Sequence, residues 1–97
     1  MSAPAEFEIG PETETPTHWS YAVTVFDAGR TRSIDVTLSF QDYDHWSRGR
    51  VPPVKVVDAT LRLALERMSV DELGERVDCS TIARRFQGFE AELAEMF

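Results

Sequence analysis

Two runs of residues alternate strictly between apolar and polar, and they lie one short turn apart. Trp19, Tyr21, Val23 and Val25 occupy odd positions, and Ile34, Val36, Leu38 and Phe40 occupy even ones. Side chains alternate across a strand, so each run reads as half-buried β-structure. Between them, Asp27-Ala28-Gly29-Arg30 is a turn in which Gly29 can take a positive φ. A two- or four-residue loop pairs Val23 with Ile34, Tyr21 with Val36 and Trp19 with Leu38, placing all the large apolar residues on one face. A three-residue loop without a bulge would split the faces, which is costly where one face is buried. The expectation is an antiparallel hairpin over about 18–40 with an even-numbered loop.

Beyond the hairpin, the chain reads as helix. Ser39 can cap a short helix over about 40–48, with Asp42 in its first turn and Gly49 as a stop. Pro52-Pro53 opens a second helix over about 53–68, since proline is tolerated in a first turn. At 100° per residue, Val54, Val57, Leu61, Ala64, Leu65 and Met68 form its apolar stripe, while Asp58 and Arg62 are spaced as an i,i+4 pair. Val56 and Leu63 point the opposite way, so this helix should be covered on two sides. Ser69 with Glu72 is a capping box for a helix over about 70–76. Asp78 can cap a last helical stretch over about 79–96, which Gly88 either kinks or divides. The fold class expected is α+β: the hairpin packed on the 53–68 helix, within a single domain spanning 17–97.

Residues 1–16 carry Pro4, Pro11 and Pro16 and four glutamates with no base. Low hydrophobicity with high charge does not offset ordering entropy, so this acidic stretch is expected to be disordered and dispensable for folding. Phe7 and Ile9, alternating with glutamates, are the one exception, and Gly10-Pro11 cuts their pattern short. With 97 residues and a net charge of −7, the chain is a small acidic one. Phosphate neutralisation dominates nucleic-acid affinity, so the charge disfavours nucleic acid as a partner. No membrane span or secretory signal is expected, and a lone Cys79 fits a reducing cytoplasm.

Three patterns carry candidate chemistry. Asp42 and His45 would share a helix face and supply two metal ligands or an acid–base pair, but spacing suggests no third ligand, and a solvated helix explains them as well. Cys79 would sit in a helix's first turn, where the dipole lowers a thiol pKa, yet neither His18 nor His45 lies near it in sequence. Residues 69–86 look like a helix-turn-helix bearing Arg84 and Arg85. Asp78 stands where the turn wants glycine, and this C-terminal part is rich in acids. No cofactor, metal or catalytic residue is expected.

The order of elements resembles short bacterial proteins of unknown function. In these a hairpin like 19–40 leads to a Ser-capped helix, a Pro-started helix ending near Leu65-Glu66-Arg67, and a tail like Val77-Asp78-Cys79-Ser80-Thr81-Ile82 with Phe86 and Phe89-Glu90. The resemblance covers about residues 18–92. It implies a bacterial, cytoplasmic protein and brings no activity with it.

A lone two-stranded hairpin is marginal in water and its edges invite pairing. The functional expectation is a non-enzymatic protein that binds another protein or forms a homodimer. Trp19 and Tyr21 on the hairpin and Val56 and Leu63 on the helix are its expected interface residues.

Overall fold

The structure, a computed structural model, describes residues 5–97. Among the described residues the fold is α+β, a four-stranded mixed sheet with five helices. The strands are β1 (Glu6–Glu14), β2 (His18–Asp27), β3 (Arg30–Ser39) and β4 (Arg76–Asp78), and they lie in that order across the sheet. The helices are α1 (Phe40–Ser47), α2 (Pro53–Leu65), α3 (Val70–Leu73), α4 (Cys79–Arg85) and α5 (Phe89–Ala94).

β2 and β3 pair as their alternation requires, with Trp19 opposite Leu38, Tyr21 opposite Val36 and Val23 opposite Ile34. The loop is the two residues between Asp27 and Arg30. Ala28 and Gly29 both take positive φ, 50° and 78°, the primed-turn geometry that follows the strands' own twist. Tyr21, Val23, Val25, Ile34, Val36 and Leu38 are all buried on one face. The alternate residues, among them Ala22, Phe26, Ser33 and Asp35, are exposed on the other.

Residues 6–14 are a strand, which corrects the expectation of a disordered tail through residue 16; residues 1–4 lie outside the described part. Phe7 pairs with Val25 and Ile9 with Val23, so both add to the buried face. The register then slips by one between Ile9 and Glu12. This bulge accommodates Pro11, whose missing N–H costs no regular ladder bond there. Gly10 is required at the slip for a steric reason: a Cβ would stand 2.8 Å from the Ala22 carbonyl oxygen. Beyond the slip Glu12 faces Tyr21 and Glu14 faces Trp19. Tyr21 donates its hydroxyl to Glu12, and the Trp19 indole N–H donates to Glu14 at 3.1 Å. Composition argued against order here, but two aromatic donors on β2 supply partners for the charged half of the strand.

Ser39 caps α1, its Oγ accepting from the Asp42 N–H at 3.0 Å. α2 buries Val56, Val57, Leu61, Ala64 and Leu65, so it is covered on both of its apolar sides, and it ends at Leu65 rather than 68. α2 and α4 both contact β3, so the hairpin's face is shared between helices rather than resting on one. The helix expected over 70–76 stops at Leu73, and β4 follows, running parallel to β3. A parallel neighbour needs a crossover, which α1, α2 and α3 provide. Val77 opposite Val36 is the single apolar pair of that ladder. The stretch over 79–96 is divided into α4 and α5, with Gly88 preceding α5.

Candidate functional site

The four residues expected at an interface separate into two groups. Tyr21 is 1% exposed and Val56 is fully buried, so neither presents a surface. This corrects their assignment: β1 and the helices cover what an isolated hairpin and helix would have left open. Leu63 is half-buried against the core. Trp19 is also half-buried, its ring meeting Phe40 at 4.4 Å and Tyr43 at 5.1 Å edge-on. The edge of β2 is occupied by β1, and that of β3 by β4 over residues 35–37.

The chemical candidates are not assembled. Among the described residues no group of three or more His, Cys, Asp or Glu is placed to hold a metal, and His45 is exposed. Cys79 is fully buried, and burial followed by the Asp78 charge pushes its thiol well above the usual range, against the expected helix-dipole effect. The helix-turn-helix reading is corrected by β4, which stands where the tight turn belongs, and by α3, only four residues long. Arg85 pairs with Glu72 at 3.7 Å, within the same substructure.

Among the described residues, two concavities adjoin the sheet. One, of about 510 Å³, lies where β2, β3 and β4 meet and is lined by His18, Asp35, Thr37, Arg76 and Asp78 among others. Its polar groups largely engage each other. Thr37 donates to Asp78 at 2.6 Å, the Ser80 N–H donates to the same carboxylate at 3.0 Å, and Arg76 approaches Asp35 at 3.8 Å. The His18 Nδ1 lies 3.0 Å from the Thr15 hydroxyl and 3.1 Å from that of Thr17. Asp78 is thereby a helix cap, and the arrangement is a self-satisfied polar surface.

The other concavity, of about 600 Å³, runs along the start of β1. Ala5, Glu6, Phe7 and Glu8 form one side, with Phe26 of β2 beside them; Arg62, Leu65 and Glu66 at the end of α2 form the other. Consecutive strand residues alternate between faces, so a concavity lined by residues 5–8 wraps the edge of β1 at its start, where Phe26 pairs with Glu6. β1 is the outermost strand, so among the described residues its outer backbone edge has no strand partner. Phe26 is 40% exposed, a large apolar group left open at the groove's rim. Arg62 does not neutralise the groove's glutamates: its Nε–H donates to Asp58 at 2.9 Å, and its guanidinium lies 5.3 Å from the Phe7 ring centre.

Sequence reasoning missed this groove, although the alternation of Phe7 and Ile9 was its one signal. No known protein family, curated protein or solved structure matches this chain. No helix among the described residues is long and apolar enough to cross a membrane.

Proposed function

We propose that this is a non-enzymatic protein that acts by binding another polypeptide, and that the outer edge of β1 is where it does so. One observation supports the reading above others: a strand edge with open backbone donors and acceptors faces a helix across a groove, beside an exposed Phe26. Strand addition to such an edge takes its affinity from main-chain hydrogen bonds and its specificity from pockets for alternate side chains. Pairing of β1 with β1 of a second copy would set glutamates against glutamates, which destabilises cross-strand pairs, so a different chain is the proposed partner. The single buried thiol accords with a reducing cytoplasm as the place of action.

Site-specific photocrosslinking in the native host tests this. A photoreactive residue at position 6, 8 or 66 should capture a discrete polypeptide, and one at Glu75 or Glu90, away from the groove, should not. Equal capture from all positions, or none from the groove, contradicts the proposal.

A further inference from the structure

Resting on that reading, we infer the chemistry of the partner: an extended segment in which basic and apolar residues alternate. The two faces of the sheet differ in character along this edge. Phe7 pairs with Val25 and so lies on the helix side of the sheet, whereas Glu6 and Glu8 pair with Phe26 and Thr24 on the other side. A strand added to the β1 edge must present its own side chains alternately to these two faces. On the helix side its residues meet Phe7 and Leu65, both apolar and both lining the groove. On the opposite side they meet Glu6 and Glu8, while Glu66 follows Leu65 at the end of α2 on the helix side.

The electrostatics point one way. Three carboxylates line the groove against one guanidinium, and that guanidinium is held by Asp58 and the Phe7 ring. Cross-strand pairs of opposite charge stabilise a sheet and like charges oppose it. A lysine or arginine at every second position therefore fits, and valine, isoleucine or leucine fits between them. The register slip at Gly10-Pro11 ends the regular edge, so the added strand is short and pairs with residues 6–9.

The test uses synthetic probes against the full chain. A blocked peptide of about eight residues alternating lysine and valine, a typical strand length, should bind and shift the amide resonances of residues 6–9. An alternating glutamate–valine probe should not bind, and a lysine–valine probe with a central proline should bind at least about tenfold more weakly, having lost edge hydrogen bonds. Glu6→Lys with Glu8→Lys should weaken the first probe by about tenfold or more and confer binding of the glutamate–valine probe. These exposed positions keep the fold intact, which unchanged thermal melting of the variant verifies. Equal binding of the proline-interrupted probe would overturn strand addition. Equal binding to the double variant would overturn the site. Tighter binding after removal of residues 1–4 would identify the chain's own start as the occupant, and a dimer of the wild type abolished by the double variant would identify a second copy; either overturns the inferred partner. Failure of every probe, with photocrosslinking from positions 6 and 8 intact, would refute the partner chemistry and leave the binding edge standing.

Discussion

Tyr21 donates its hydroxyl to the carboxylate of Glu12 across a register slip that turns that glutamate toward the helix side of the sheet. Without the slip, Glu12 would lie on the same side as Glu6 and Glu8. The bulge therefore does two things. It gives a buried phenol an acceptor at the rim of the core, and it closes the regular part of the β1 edge after Ile9.

Removal of residues 1–16 should be damaging. A chain beginning at Thr17 loses two partly buried apolar side chains, Phe7 and Ile9, and the acceptors of Trp19 and Tyr21. The expected loss is about 2–4 kcal/mol, from the burial of two large apolar groups. Urea denaturation of the two chains measures it, and an unchanged midpoint would mean that β1 contributes nothing to the folded state.

Gly10→Ala should loosen β1 selectively. Its new methyl would collide with the Ala22 carbonyl at 2.8 Å, a backbone atom that cannot rotate away. A cost of about 1–3 kcal/mol is typical of such overpacking. Amide exchange should accelerate in residues 6–14 while the β2–β3 ladder keeps its protection.

Leu61 and Arg62 are neighbours in α2 with opposite environments. Leu61 is fully buried, so Leu61→Ala should cost about 2–5 kcal/mol. The Arg62 side chain is 65% exposed and its pair with Asp58 is a surface one, so Arg62→Ala should cost less than about 1 kcal/mol. Equal losses in thermal or urea melts would contradict the helix orientation.

Stability should fall in alkali. Burial raises the pKa of both Cys79 and Tyr21, with the Asp78 charge adding to the first and the Glu12 hydrogen bond to the second. For a group whose folded pKa is raised, the stabilisation is complete below its unfolded pKa and is lost as pH rises above it. The unfolded thiol and phenol ionise near about 8.5 and 10, so the decline should begin above about pH 8.5 and steepen above 10. The urea midpoint between pH 7 and 11 tests this. Cys79→Ala should remove the first part of the slope and Tyr21→Phe the second; an unaltered profile in both variants would contradict the assignment.

The legible parts of this fold are those with long, unambiguous periods. The β2–β3 register follows from parity alone, because only an even loop keeps Trp19, Tyr21, Val23, Ile34, Val36 and Leu38 together. The caps at Ser39 and Asp78 are equally local. β4 is too short to show a period, since three residues with one valine match strand and helix alike. β1 is hidden for another reason: its second half is anchored by glutamates whose partners sit on β2, a relationship that composition cannot express. Misreading β1 then left the β2 edge and the face beside it without a cover. With the hairpin imagined bare, Tyr21 looked available, and the groove, built from residues 5–8 and 62–66, had no visible counterpart in the chain.

Amide hydrogen exchange along β1 tests the central claim, that this segment is a docked strand with one open edge. In such a strand, alternate N–H groups turn inward to β2 and outward to solvent. Over residues 6–9 slow and fast exchange should therefore alternate, with the pattern broken at Gly10-Pro11 and resumed beyond Glu12. Uniformly fast exchange from residue 6 to 14 would show an unattached tail, and uniformly slow exchange would show an edge already covered; either result would contradict the account.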